Sequence, residues 1–206
     1  MAKMIALNLR TQFVLFALML GTLYIQMLVI NPIEVDLFGP DSKGSYLFLP
    51  HGVKVLIGYV FGIIALPAMI IARFIGLYVT MGWPMTEAVY GTVAGVIAIY
   101  LPLAVMNFLF ERPWHKPLVA FDQPIGQFRI FVILVVMTIF ANAALHSSLF
   151  HYEASFHLPF RYLIGDTLGA VVVFLIALKY RAVIQRWCVA ACPNNFSTSD
   201  AKKING

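Results

Sequence analysis

Six long apolar runs, separated by proline, glycine or charge, divide the chain at about residues 11–31, 46–65, 67–82, 86–110, 128–149 and 160–178. A helix that crosses a bilayer needs roughly 20 predominantly apolar residues. Five runs meet that length and the third is short. Asn31-Pro32 ends the first run. Pro67 is the only punctuation between the second and third and is read as their turn, because Tyr46 to Met81 is too long for one span. Pro102 is expected to kink the fourth. The runs are longer than barrel strands and do not alternate. The pattern predicts an all-α fold, a polytopic transmembrane helix bundle of about six spans covering residues 1–182. A cytoplasmic tail over 183–206 is expected to be amphipathic at first and disordered from about Asn194.

Composition supports this reading. Of 206 residues, 61% are hydrophobic and only 11% charged, with a mean hydropathy of +0.87. A soluble domain carries about 25% charged residues. The length allows one domain and leaves no room for a separate catalytic or DNA-binding unit.

The net charge of +5 is not a nucleic-acid signal, because its carriers sit at helix ends. Lys3 and Arg10 precede the first run; Arg112, Lys116 and Arg129 flank the loop between the fourth and fifth; Lys179, Arg181, Arg186, Lys202 and Lys203 follow the sixth. The positive-inside rule then puts both ends in the cytoplasm. The opposite side holds Lys43 and Arg161 with Glu34, Asp36, Asp41 and Glu153. No small-residue cleavage site follows the first run, so it is expected to stay as a span.

Ionisable residues at membrane depth cost about 2.5–3.5 kcal/mol each on insertion scales and call for a reason. Lys54 in the second run and Asp166 in the sixth lie at similar depth from the non-cytoplasmic side, which predicts a contact between them, direct or through water. His51 stands one turn above Lys54 on the same face, and Asn142 and His146 share a face of the fifth run. With Arg161 they form a candidate polar pocket of His51, Lys54, Asn142, His146, Arg161 and Asp166, suited to a small anionic or zwitterionic ligand. The alternative is a structural ion pair with ordinary interhelical hydrogen bonds.

Other residues are weaker candidates. His146, His151, Glu153 and His157 carry imidazole and carboxylate groups that suit a transition metal, but their spacing matches no metal motif; the alternative is a water-facing, pH-sensitive loop. Arg73 is expected to snorkel to the cytoplasmic interface. Glu87 reads as a helix N-terminal carboxylate. Cys188 and Cys192 are expected to be free thiols in a reducing compartment. Gly58 and Gly62, and Gly91 and Gly95, read as sites of close helix packing. No nucleophile elbow, zincin motif or phosphate loop occurs, so neither an enzyme nor a particular cofactor is implied.

Three segments carry a family resemblance. The entry Phe48-Leu49-Pro50-His51-Gly52-Val53, the Leu66-Pro67 turn and the Gly165-Asp166-Thr167-Leu168-Gly169 helix are similar, in order and position, to motifs of the bacterial membrane-associated sensor domains that precede diguanylate cyclases or histidine kinases. Leu49 stands where that family has tryptophan, His51 and Lys54 replace small or apolar residues, and no output domain follows. The resemblance implies a multi-pass inner-membrane sensor that binds a small molecule from outside, signals to a cytoplasmic partner protein and depends on Asp166. A small-molecule transporter, or its substrate-capture subunit, is the second expectation. A structural subunit of a membrane complex is the third.

Overall fold

The computed structural model describes residues 8–39, 45–110, 124–149, 157–180, 182–184, 186 and 187, and every regular element among them is helical. Helix α1 (Asn8–Ile25), a π-helical turn (Gln26–Ile30) and α2 (Asn31–Phe38) form one continuous rod, about 45 Å long at 1.5 Å per residue. The first span therefore does not end at Asn31-Pro32. In the wide turn the Asn31 N–H bonds the Gln26 carbonyl five residues back. Pro32 then falls in the first turn of α2, where its missing N–H costs little.

Helix α3 (Leu49–Phe61), a 3-10 turn (Gly62–Ala65), α4 (Leu66–Ile75) and a second π-helical turn (Gly76–Thr80) follow. The chain reverses between α3 and α4, as α1 shows by touching both. At one end of α1, the Gln12 side-chain amide donates to the Ile64 carbonyl and accepts from Ala68 N at 3.0 Å. At the other end, Gln26 accepts from Leu49 N at 3.2 Å and Leu23 packs on Gly76. Helix α3 is thus antiparallel to α1, and α4 parallel to it. Gly62 makes the reversal, with φ +56° and ψ −139°, a conformation closed to residues with a Cβ. The Tyr100 hydroxyl donates to its carbonyl at 3.1 Å. The turn falls just before Pro67, where the sequence placed it.

Helices α5 (Met85–Leu109), α6 (Pro124–Leu149) and α7 (His157–Lys179) complete the bundle, with α5 helical through Pro102. Five stretches are long and apolar enough to cross a membrane: Leu9–Phe38, Leu49–Thr80, Met85–Leu109, Arg129–His146 and Phe160–Lys179. The second of these folds back on itself at Gly62, so the bundle has six helical segments that alternate in direction. Phe61 at the turn packs on Trp187, ring centroids 5.0 Å apart. The start of α1, the turn and the chain beyond α7 therefore share one end. Large apolar residues such as Phe108, Phe140, Val171 and Leu175 point outward, as lipid-facing positions do.

The most extensive helix contact joins α3 to α7, and glycine makes it. The backbone of residues 45–52 lies directly on α7. Phe48 N donates to the Gly165 carbonyl at 2.9 Å. A Cβ on Gly165 would strike the Ser45 carbonyl, one on Gly169 the Phe48 carbonyl, and one on Gly52 the Gly169 backbone. This is small-residue packing between membrane helices, and it fixes Asp166, between Gly165 and Gly169, against α3.

Candidate functional site

The interior layer so formed holds an unusual set of side chains. His51 and Asp166 are fully buried, Lys54 is 1% exposed and Arg73 7%. Thr138, Asn142 and His146 are buried beside them. Glycine-packed α3 and α7 bring Lys54, His51 and Asp166 together; α6 supplies Thr138, Asn142 and His146; α4 supplies Arg73.

Asp166 Oδ2 accepts a hydrogen bond from Asn142 Nδ2 at 2.7 Å and lies 3.5 Å from His51 Nδ1. Among the described residues its Oδ1 has no hydrogen-bond partner, and neither has the Lys54 amine. The direct Lys54–Asp166 contact expected from the sequence is absent. The two share a layer and act on each other through space, but Asp166 takes Asn142 as its hydrogen-bond partner. Asn142 reaches Asp166 across the α6–α7 seam.

On the far side of His51, Thr138 Oγ1 donates to the Val135 carbonyl at 2.8 Å and lies 3.4 Å from His51 Nε2. With its only proton committed, Thr138 can face His51 only as an acceptor. That assigns the His51 proton to Nε2 and leaves Nδ1 turned toward the carboxylate.

Arg73 does not snorkel. Its Nε donates to the Gly91 carbonyl at 2.8 Å and its Nη2 to His146 Nε2 at 2.9 Å. A guanidinium only donates, so His146 Nε2 accepts and its Nδ1 carries the proton given to the Asn142 carbonyl at 3.0 Å. Space for the guanidinium comes from α5, where a Cβ on Gly95 would overlap it. Gly91 serves close packing as expected, a Cβ there meeting Leu77 and Trp83, whereas Gly95 admits an arginine. That was the sequence signal for an inward Arg73: small residues across from it on the next helix. Depth along its own span pointed the other way.

A cavity of about 250 Å³ opens against this layer. Arg73, Asn142, His146 and Tyr162 form one wall. Gln26, Asn31, Glu34 and Ser45 form a second part of the lining, and Trp83 and Met81 line it too. This second part is a connected network. Gln26 Nε2 donates to Asn31 Oδ1 at 2.8 Å and to Ser45 Oγ at 2.9 Å. Ser45 Oγ and Leu47 N donate to Glu34 Oε1 at 3.0 and 2.9 Å. None of these four was a candidate site residue: Gln26 and Asn31 are neutral groups with no depth penalty large enough to mark them, and Glu34 and Ser45 fall outside the apolar runs as the sequence divides them.

Arg161 stands apart from the layer, its guanidinium 5.2 Å from the Tyr46 ring centre as an exterior cation–π pair. Of the metal candidates, His146 is engaged with Arg73 and Asn142. His151, Glu153 and the His157 side chain lie outside the described residues, as do Cys188 and Cys192, and no group of three or more metal-ligating side chains occurs among the described residues. Glu87 sits exposed in the first turn of α5, as expected of a helix N-terminal carboxylate. An outward-facing apolar groove of about 420 Å³ runs between α6 and α7 and is separate from the layer.

Comparison with known proteins adds no assignment: no family model, no curated protein and no solved structure matches the chain.

Proposed function

We propose that this protein is a bacterial inner-membrane sensor module, with both ends in the cytoplasm, that binds a small carboxylate-bearing solute from the non-cytoplasmic side. The observation that carries the reading is Arg73. It is a buried guanidinium on a cavity wall, held rigidly through Nε and Nη2, whose Nη1 makes no hydrogen bond to any described residue. A planar, preorganised fork of this kind matches a carboxylate. Glu34, which lines the same cavity, gives a zwitterion a place for its ammonium.

A route for a signal follows from the hairpin. Arg73 belongs to α4, and the start of α4 is the turn clasped by Gln12 at the opposite end of the bundle. A ligand that draws Arg73 into the cavity pulls on that turn, where a cytoplasmic partner protein would read the movement. The resemblance of residues 48–53, 66–67 and 165–169 to the sensor-domain motifs points the same way. Transport is the second reading, favoured by the π-helical turns beside the cavity at Gln26–Ile30 and Gly76–Thr80, since such local widenings of a helix recur at functional sites.

The test is binding of acetate, lactate, benzoate and glycine to the protein in lipid nanodiscs, by calorimetry. Saturable binding of at least one, lost in Arg73→Gln, is expected. Uptake of the bound solute by proteoliposomes would replace the sensor with the transporter, and no binding by any of the four would remove the site.

A further inference from the structure

The cavity wall and the layer behind it differ in one respect that the ligand-binding reading, on which this inference rests, does not use. Lys54, His51 and Asp166 do not line the cavity. They lie behind Asn142 and Arg73, and three of their polar atoms, His51 Nδ1, Lys54 Nζ and Asp166 Oδ1, have no hydrogen-bond partner among the described residues. An unpaired charge in a dry interior is costly, and such groups gain or lose a proton rather than bear it.

The charges can be counted element by element. Helix α3 contributes Lys54 and His51, α4 contributes Arg73, α6 contributes His146, and α7 contributes Asp166 and Tyr162. From α5 only the Gly91 carbonyl and the space at Gly95 face the layer. Glu34 belongs to the cavity lining and not to the layer, its Oε1 held by Ser45 Oγ and Leu47 N. His146 is neutral by its hydrogen bonds, with Nε2 accepting from Arg73. With Tyr162 also neutral, the layer holds two groups that can be cations, Lys54 and Arg73, against one carboxylate, with His51 between them.

We infer that the Lys54–His51–Asp166 cluster is a proton site coupled to the cavity, so that the protein takes up one proton with each monoanion it binds. The empty layer reaches neutrality with Arg73 balanced by Asp166 and one proton fewer on the cluster. A carboxylate arriving at Arg73 adds one negative charge, and neutrality returns when one proton from water joins the cluster. Asp166 Oδ1, Lys54 Nζ and His51 Nδ1 are the open positions that receive it. No bond other than the one to this proton forms or breaks. As linked equilibria require, anion and proton then strengthen each other's binding. In a sensor this makes the response depend on external acidity, and in a transporter it is anion–proton symport.

Calorimetry on the wild-type protein in nanodiscs decides it. A probe among acetate, lactate and benzoate that binds is titrated at one pH in two buffers of different ionisation enthalpy, which gives the protons taken up per anion. One proton per anion is expected, with an affinity that falls about tenfold per pH unit over the range where the proton is exchanged. In Asp166→Asn and in Lys54→Met that slope is expected to flatten. Binding with no proton uptake overturns the coupling and leaves the cavity reading standing. A full slope in both variants places the proton elsewhere and also overturns it. Failure of these three and of glycine to bind overturns the cavity reading and the coupling with it, whereas binding of glycine alone overturns the coupling and leaves the cavity reading standing. The wild-type measurement stands alone if a variant does not fold.

Discussion

Arg73 Nη2 lies 2.9 Å from His146 Nε2 inside the bundle, and this contact fixes the chemistry on both sides. It sets the His146 tautomer, which bonds the Asn142 carbonyl, and the Asn142 side chain in turn holds Asp166. Cavity and charged layer are therefore joined by one chain of hydrogen bonds from α4 through α6 to α7.

Removing the guanidinium should unravel that chain. Arg73→Gln leaves the Gly91 carbonyl and His146 without their donor, and breaking a buried charged network costs about 3–5 kcal/mol. Arg73→Lys should rescue little, because one ammonium cannot place donors at both positions of the fork. Thermal unfolding in detergent, with both variants compared to the wild type, measures this.

Lys54→Met should behave in the opposite way. Its amine is buried without a partner, so replacing it by an apolar side chain of similar length should be neutral or stabilising, by about 1–4 kcal/mol on the scale of buried-ion replacements. Asp166→Leu alone should destabilise, since it leaves the two cationic positions uncompensated. The double variant should recover part of the loss. A double-mutant cycle from denaturant unfolding reads the coupling directly.

Glycine substitutions should separate close approach from mere helical location. Gly21→Ala meets nothing within 4 Å and should stabilise α1 by about 0.5–1 kcal/mol through helix propensity. Gly95→Ala forces the Arg73 guanidinium to move and should cost about 1–3 kcal/mol as an overpacking change. Gly169→Ala meets the Phe48 carbonyl, which is backbone and cannot rotate away, so its loss should exceed that of Gly95→Ala. The ranking of the three melting temperatures is the check.

Gln12→Leu should loosen the reversal between α3 and α4. It strips the Ile64 carbonyl and the Ala68 N–H of their partner, each unsatisfied buried group costing about 1–3 kcal/mol. Hydrogen exchange over residues 62–68 should accelerate in this variant, while exchange in α6 stays as in the wild type.

Much of this architecture is written plainly in the chain. Apolar runs and prolines mark the six helical segments, because a bilayer-length helix leaves an unbroken stretch that soluble helices do not. The shared layer of His51, Lys54, Asn142, His146 and Asp166 is also legible, since so few polar residues stand at depth that their alignment is informative. Pairing within the layer is not. Which of Lys54 and Asn142 reaches Asp166 depends on the rotation of each helix about its axis, and that rotation is set by Gly52, Gly165 and Gly169 meeting backbone to backbone. Arg73 was misread because distance along one helix says nothing about which way a long side chain turns, and the deciding vacancy, at Gly95, lies on another helix. Gln12 and Gln26 escaped notice because an uncharged amide costs too little in an apolar run to stand out.

The folded-back pair has one more effect. Its arms, 13 residues in α3 and 15 in α4 with its π-helical turn, ten plus five, reach about 20 Å each at 1.5 Å per residue. The hydrocarbon of an ordinary bilayer is about 30 Å thick. The pair is also the most buried of the five apolar stretches, so neighbouring helices, and not lipid, cover most of its short arms.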